Sequence, residues 1–222
     1  MESHAFIAAP RQHFSAEETS ARSTAFFGLM QKRRSIRDFA STPIAQGVID
    51  HLISTAGTAP SGANKQPWTF CVVTNPQMKA AIRQAAEQEE KINYDSRMGE
   101  RWLRDLAPLG TGWEKPFLED APALIVVFKR LYEFDNEGDK LPNYYVNESV
   151  GIACGMLLTA AHHAGLATLT HTPSPMSFLE RMLNRPANER AYLLIPIGYP
   201  AEGALVPDIG RKSIEDIRVN YD

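Results

Sequence analysis

Arginine is concentrated in one short stretch of the sequence, residues 32–39, which read KRRSIRDF. Arg33, Arg34 and Arg37 carry planar guanidinium groups that can each bind a phosphate through two hydrogen bonds. The Ser35 hydroxyl adds a further donor. The stretch therefore predicts an anion site, most naturally for the terminal phosphate of a small cofactor. The alternative is an exposed basic helix end that complements the helix dipole and binds nothing, and these residues alone leave both open.

Two other stretches could face a ligand, and each also has an ordinary structural explanation. Residues 60–64 (PSGAN) are small enough to let backbone N–H groups approach a ligand closely, but turns before strands use the same residues. Residues 168–172 (TLTHT) place hydroxyl groups at the end of a predicted strand, although threonine also favours strands in general. Arg211 is a lone cation near the C-terminus and alone indicates nothing.

Glu90, Tyr94 and Lys115 form a set of a different kind, because together they offer an anion, a phenol and a cation. The ammonium and carboxylate groups of an amino acid would be matched by such a set. Scattered surface charges are common, so from these residues alone three unrelated surface groups are favoured over a zwitterion site.

Composition and motifs exclude several classes of function. The net charge of −3 argues against a general nucleic-acid or membrane-surface role. The histidines show no metal-ligand spacing, and no Walker loop, dinucleotide-binding or nucleophile-elbow motif occurs, so neither a metal site nor hydrolysis is expected. No apolar run approaches 18 residues, and the N-terminus lacks the pattern of a signal peptide. The two cysteines lie in apolar runs, which is typical of a reducing compartment, so we expect a cytoplasmic protein.

Hydrophobic periodicity predicts the elements that must position these residues. Ser15 and Glu18 have capping-box spacing and predict the start of a first helix. Strands alternating with helices indicate an α/β or α+β fold, in a single domain over residues 1–222. A mobile flap is expected at about 88–115 and an extended C-terminal arm at about 202–222. The other helices are predicted at about 44–56, 76–91, 146–164 and 177–183, and the strands at 68–74, 121–128, 167–170 and 192–197.

Several motifs resemble a known family. RRSIRDF, the apolar helix after YYVNESVGIACG and an arginine in the C-terminal arm are similar to the FMN-dependent nitroreductase superfamily. The sequences TAGTAPSGANKQPWTF, EEKINYDSRMGERW, NRPANER, IPIGYP and VPDIGRK resemble its iodotyrosine deiodinase branch. The resemblance runs in order from about residue 32 to 217. It implies an α+β fold with a central mixed or antiparallel sheet flanked by helices, and an intertwined homodimer with FMN at the interface.

The resemblance also implies roles for individual residues. Thr172 would donate a hydrogen bond to flavin N5 and act as the catalytic residue. Ala63 would offer its backbone N–H to the substrate phenolate, while Glu90, Tyr94 and Lys115 would bind the amino-acid zwitterion and close the flap. The residues implied to bind FMN are Arg33, Arg34, Ser35, Ile36, Arg37, Ser61, Gly62, Thr170, His171, Thr172 and Arg211.

The activity implied is reductive dehalogenation of halotyrosines such as 3-iodo-L-tyrosine, in one-electron steps from reduced FMN. The electrons would come from NAD(P)H, directly or through a reductase. His171 replaces the usual middle threonine, the residues Asn64, Lys65 and Gln66 differ from the familiar ones, and the membrane anchor of animal members is absent, as in a soluble, bacterial-type member. The rivals are a general NAD(P)H-dependent nitroreductase or quinone reductase and, more distantly, a flavin-binding protein without turnover.

Overall fold

The computed structural model describes residues 6–221, and the chain separates into two compact units at Arg33 and Arg34. The first unit contains helix α1 (Ala16–Gln31). The Ser15 hydroxyl accepts the N–H of Glu18 at 3.1 Å, and the Glu18 carboxylate accepts the N–H of Ser15 at 2.9 Å. This reciprocal pair satisfies two backbone donors at the helix start and confirms the predicted capping box.

The second unit is built on an antiparallel sheet of four strands in the order β1-β2-β6-β5. These strands are β1 (Trp68–Val73), β2 (Ala123–Arg130), β5 (Ala167–Thr168) and β6 (Glu189–Gly198). Strands β3 (Tyr132–Phe134) and β4 (Lys140–Pro142) form a separate hairpin. The predicted strand at 167–170 is two residues shorter in the structure, and the sequence did not predict the hairpin.

Helices cover both faces of the sheet. Leu124, Val126 and Phe128 of β2 pack in one apolar cluster with α3 (Pro76–Ile92), α5 (Phe117–Asp120) and α7 (Ser177–Met182). The alternate residues of β2 pack in a second cluster with α2 (Gln46–Gly57) and α6 (Val146–His163). Because neighbouring strand residues point to opposite faces, a strand covered on both sides must be apolar throughout, and the predicted strand at 121–128 (APALIVVF) meets this requirement.

Two stretches outside the sheet matter for the site. The expected flap contains a π-helical turn (Asn93–Arg97) and helix α4 (Glu100–Leu106). The described part of the expected C-terminal arm, residues 202–221, forms no helix or strand. Just before it, Ala40 and Tyr199 are joined by a backbone hydrogen bond of 2.9 Å. Among the described residues, no helix is long and apolar enough to cross a membrane.

Candidate active site

A cavity of about 270 Å³ lies between the end of α3, the flap and the residues that follow β5. Its wall combines ionisable, hydroxyl and apolar side chains, which is typical of a small-molecule site. The residues that line it are Arg37, Glu90, Tyr94, Met98, Trp102, Leu106, Leu109, Thr111, Lys115, Phe117, Leu169, Thr170, His171 and Thr172.

An almost fully buried ion pair lies in this wall. Lys115 Nζ is 3.3 Å from Glu90 Oε2, and the two side chains are only 4% and 8% exposed. Burial lowers the pKa of Lys115, and the negative charge of Glu90 opposes that change. A buried charge is tolerated only when it is paired, so the neighbouring Glu90 favours the charged form of Lys115.

Tyr94 completes the set of three residues singled out in the sequence. Its hydroxyl donates to the Thr111 carbonyl at 3.1 Å, and its ring centroid lies 5.5 Å from Lys115 Nζ. Burial, together with the nearby charge of Glu90, raises the pKa of Tyr94. The phenol therefore stays protonated and can donate a hydrogen bond at neutral pH.

The main chain around Lys115 is held by α3. Glu87 Oε1 accepts the Lys115 N–H at 2.7 Å and the Arg83 Nε–H at the same distance. Glu87 lies about one helical turn before Glu90. Helix α3 thus positions both members of the ion pair. Glu90 is one of its own residues, and the Lys115 backbone is held by the side chain of Glu87.

His171 makes a backbone bridge to β6 that orders the threonines on either side. Its N–H donates to the Leu194 carbonyl at 2.8 Å, and its own carbonyl accepts the Leu194 N–H at 3.0 Å. In such an extended segment Thr170 and Thr172 share one side and His171 takes the other. Both threonines are exposed in the chain, so their hydroxyls are available to a ligand.

The His171 side chain lies among other groups of the protein. It packs edge to face against Phe117 with a centroid distance of 5.6 Å, and Nε2 is inaccessible to solvent and has no hydrogen-bond partner. Burial, with smaller contributions from the positive charges of Lys115 and Arg37, lowers the pKa of His171 to about 3. The imidazole is therefore neutral at physiological pH.

The arginine-rich stretch is attached to β5 and to the C-terminal arm. Ser35 forms a parallel bridge with Thr168, and the Ile36 N–H donates to the Thr168 carbonyl at 3.2 Å. Arg37 lines the cavity, and burial lowers its pKa although Tyr94 and Asp38 oppose this. The Arg34 guanidinium donates to the Pro207 carbonyl. Arg33 belongs to the first compact unit.

The loop 60–66 has an unusual backbone. Ala63, Asn64 and Gln66 have positive φ values of 49°, 54° and 48°, which are costly for residues with a Cβ atom. The Ser61 hydroxyl accepts the Gln66 N–H at 2.9 Å and helps to hold this shape. A Cβ atom added to Gly62 would lie 2.8 Å from the Tyr144 carbonyl oxygen, so only glycine suits that position.

The structure brings together many of the residues singled out in the sequence. Arg37, Glu90, Tyr94, Lys115, Thr170, His171 and Thr172 line one cavity. Seven other predicted site residues of the second unit are not among the described residues that line it: Arg34, Ser35, Ile36, Ser61, Gly62, Ala63 and Arg211. Sequence reasoning did not assign a ligand-facing role to Met98, Trp102, Leu106 and Leu109, although the four-residue spacing of Trp102 and Leu106 places these two on one face of α4.

The comparisons with known proteins agree with this architecture. The sequence pattern described as "Nitroreductase family" matches residues 30–199. The chain belongs to the nitroreductase family. Within it, the chain is 55% identical over 217 residues to an iodotyrosine deiodinase of Haliscomenobacter hydrossis, with 98% of each chain covered. It is 47% identical over 208 residues to iodotyrosine deiodinase 1 of Homo sapiens, covering 93% of this chain and 72% of the human one. The resemblance inferred from sequence is thereby confirmed.

Solved structures give the same result for the fold. A crystal structure of an oxidized iodotyrosine deiodinase bound to FMN and 3-iodo-L-tyrosine superposes with a TM-score of 0.75 at 31% identity, covering 89% of this chain and 98% of that one. A nitroreductase with bound FMN from Bacteroides fragilis superposes with a TM-score of 0.63 at 19% identity, covering 85% and 95%. The second likeness shows the fold alone. The predicted α+β fold with an antiparallel sheet is confirmed.

Proposed function

We propose that this nitroreductase-family chain is an FMN-dependent oxidoreductase that removes halide reductively from halotyrosines such as 3-iodo-L-tyrosine. The observation that carries the proposal is the cavity in which Glu90, Tyr94 and Lys115 lie beside Arg37 and Thr172. A carboxylate, a phenol and an ammonium group together match an amino-acid zwitterion, whereas a general flavin reductase has no need of such a set. The two relatives described above are named iodotyrosine deiodinases.

The residues that line the cavity suit FMN. Arg37 is a partly buried cation, and the exposed hydroxyl group of Thr172 lies on the same cavity wall. Such hydrogen-bond donors match the anionic and polar groups of the cofactor. When bound, FMN supplies the electrons of the reaction. Its phosphate and ribityl chain would be held by Arg33, Arg34, Ser35, Ile36, Arg37 and Arg211, and its ring by Ser61, Gly62, Thr170, His171 and Thr172.

Binding of the zwitterion would replace one set of charge pairs with another. Glu90 would accept a hydrogen bond from the substrate ammonium group, and Lys115 would donate one to the substrate carboxylate. The Tyr94 hydroxyl would be a further hydrogen-bond donor to the zwitterion. Lys115 and Glu90 are already paired at 3.3 Å. Because the zwitterion brings one charge of each sign, the exchange leaves neither buried side chain without a partner.

The backbone of Ala63 would act at the other end of the substrate. Its N–H would donate to the phenolate oxygen and stabilise the negative charge there. The same bond favours the non-aromatic keto tautomer, in which the carbon–halogen bond is weaker. Replacement of halide by hydrogen consumes two electrons and one proton, and that proton ends on the ring carbon that carried the halogen, while the halide leaves with its bonding electrons.

The apolar residues of the flap would exclude water from this exchange. Met98, Trp102 and Leu106 line the cavity, and Trp102 is 56% exposed. Stacking of the substrate ring would cover such an exposed indole. Binding energy from the zwitterion would thus be used to close the site over the reacting ring.

A homodimer with the site at the subunit interface is part of the proposal. Ser61, Gly62, Ala63 and Arg211 do not line the cavity of a single chain, as far as the described residues show, and a second chain could supply them. Exposed apolar side chains support association, among them Phe27 at 62%, Ile152 at 47% and Ile217 at 67%.

We also propose NAD(P)H as electron donor, directly or through a reductase. A cytoplasmic location is supported by the two unpaired cysteines.

Ligand binding to the FMN-loaded protein tests the substrate assignment. Flavin fluorescence should be quenched at much lower concentrations of 3-iodotyrosine than of 2-iodophenol, which has the halogenated ring but no zwitterion. The difference should be tenfold or more, since each charge-assisted hydrogen bond contributes about 1.5 to 3 kcal/mol. Equal affinities would contradict the assignment and favour a general nitroreductase.

A further inference from the structure

Asn93 occupies a position from which it can connect the flap to the cavity wall that carries Thr172. It lies between the cavity residues Glu90 and Tyr94 in the sequence and is only 6% exposed. Its side-chain Nδ2 donates to the Ser174 carbonyl at 2.9 Å. A buried amide without an acceptor is strongly unfavourable, so this bond fixes the direction of the Asn93 side chain.

Arg97 reinforces the same connection from the far end of the π-helical turn. Its Nη1 donates to Asn93 Oδ1 at 3.2 Å and to the Ser174 carbonyl at 3.4 Å, and it pairs with Glu89 Oε2 at 2.9 Å. The Met98 N–H closes the turn on the Asn93 carbonyl at 2.8 Å. The start of the flap is thus joined to Ser174 by both an amide and a guanidinium group.

The short stretch from His171 to Ser174 is consequently held at both ends. The backbone of His171 is bonded to Leu194 of β6, whereas Ser174 is bonded to Asn93. Thr172 lies between the two attachments and lines the cavity. One attachment belongs to the rigid sheet and the other to the flap, so a change in flap position must either break the Asn93 bond or move the backbone next to Thr172.

We propose that Asn93 is a positioning residue that couples the position of the flap to the position of Thr172. A substrate that holds Glu90 and Tyr94 restricts Asn93, which lies between them, and through Ser174 it restricts the Thr172 hydroxyl. The role in substrate sensing rests on the proposed function, whereas the mechanical connection rests on the hydrogen bonds alone.

The simpler alternative is an asparagine that only stabilises the fold, and the chain offers a matched control for it. Asn188 is 7% exposed and donates from Nδ2 to the Tyr132 carbonyl at 2.7 Å. Neither Asn188 nor Tyr132 is among the described residues that line the cavity. Substitution of Asn188 removes the same kind of bond without touching the proposed connection.

The experiment compares amide hydrogen exchange in the FMN-loaded wild type, Asn93→Asp and Asn188→Asp. Aspartate keeps the oxygen that accepts from Arg97 and loses the donor to Ser174. We expect Asn93→Asp to accelerate exchange about tenfold both in residues 94–98 and at Thr172 and Ser174, in line with loss of a buried hydrogen bond. Asn188→Asp should accelerate exchange near Tyr132 only. Faster exchange in 94–98 with no change at Thr172 and Ser174 would overturn the proposal.

Addition of 3-iodotyrosine separates this proposal from the proposed function. In the wild type, the ligand should slow exchange in the flap and at Thr172 and Ser174 together, and in Asn93→Asp it should protect the flap alone. Equal protection at Thr172 in both proteins would also overturn the proposal. If the ligand protects nothing in the wild type, the substrate assignment fails, and the comparison without ligand still decides on the connection.

A second variant covers the case in which Asn93→Asp does not fold. The Arg97 side chain is 48% exposed, so Arg97→Ala should fold. It should accelerate exchange at Ser174 by a smaller factor, because it removes only the longer of the two bonds to that carbonyl. No acceleration at Ser174 in this variant would contradict the proposed connection.

Discussion

Lys115 Nζ lies 3.3 Å from Glu90 Oε2 in a pair whose side chains are 4% and 8% exposed. Such a pair stabilises a fold weakly, because removal of two charges from water costs about as much as their attraction returns. Its location in a cavity wall therefore points to binding. The pair holds two opposite charges in place until a zwitterion exchanges partners with both.

Removal of the acidic member should weaken substrate binding. In Glu90→Gln, the substrate ammonium loses its carboxylate partner, and affinity for 3-iodotyrosine should fall by about 1.5 to 3 kcal/mol, the range for charge-assisted hydrogen bonds. Fluorescence titration of the FMN-loaded protein measures this. Glu100→Gln is the control, since that carboxylate lies in the same flap but is 92% exposed. An equal loss of affinity in both variants would mean that the net charge of the protein, and not contact with Glu90, causes the effect.

The same substitution should change the pH dependence of binding. Burial already lowers the pKa of Lys115, and Glu90 opposes that change. Without Glu90 the pKa should fall further, and Lys115 would lose its proton at a lower pH. The affinity of Glu90→Gln for 3-iodotyrosine should therefore decline at a lower alkaline pH than that of the wild type. A decline at the same pH in both proteins would show that Lys115 does not bind the carboxylate.

His171 should make the protein sensitive to acid. The pKa is about 3 in the folded protein against 6.5 for an ordinary histidine, so between these values the unfolded chain binds a proton that the folded one does not. The free energy of unfolding then falls as pH decreases below 6.5, by up to about 1.4 kcal/mol per pH unit.

Denaturant unfolding at pH 7 and pH 5 measures this contribution. The loss of stability between pH 7 and pH 5 should be about 2 kcal/mol in the wild type and should be absent in His171→Gln. His51→Gln removes an exposed histidine of α2 and should leave the acid dependence unchanged. An identical pH dependence in His171→Gln and the wild type would mean that the His171 imidazole is accessible to protons in the folded protein.

Thr172 should control how electrons are delivered. Its exposed hydroxyl is the group that would donate to flavin N5, whereas its backbone is not needed for that bond. Thr172→Ala should retain FMN, but its gradual reduction with 3-iodotyrosine bound should change from two one-electron steps to a single two-electron step in the absorbance spectrum. Thr172→Ser keeps the hydroxyl and should behave like the wild type. If Thr172→Ala is also unchanged, another group controls the flavin.

Local patterns predicted most of the secondary structure. The capping box at Ser15 and the apolar run of β2 were found at the predicted places because each depends on neighbouring residues alone. The β3–β4 hairpin was missed because its strands have only three residues each, and one of them ends in a proline. The position of β6 between β2 and β5 depends on contacts between distant parts of the chain, which hydrophobic periodicity does not encode.

The site was predictable only in part. Residue types suggested that Glu90, Tyr94 and Lys115 could bind a zwitterion, but the family resemblance was needed to favour this over scattered surface charges. Their spatial proximity comes from tertiary structure, with Lys115 held to α3 by its backbone N–H. Asn93 carried no signal in the sequence, because its partner is a backbone carbonyl and every residue has one.

The central claim is tested most directly under anaerobic conditions. The purified FMN-loaded protein is reduced with dithionite, 3-iodotyrosine is added, and flavin reoxidation is followed together with iodide release. We expect rapid reoxidation with one iodide released per reduced flavin. A flavin that stays reduced with 3-iodotyrosine but is reoxidised by a nitroaromatic compound or a quinone would contradict the dehalogenase and establish a general reductase on the same fold.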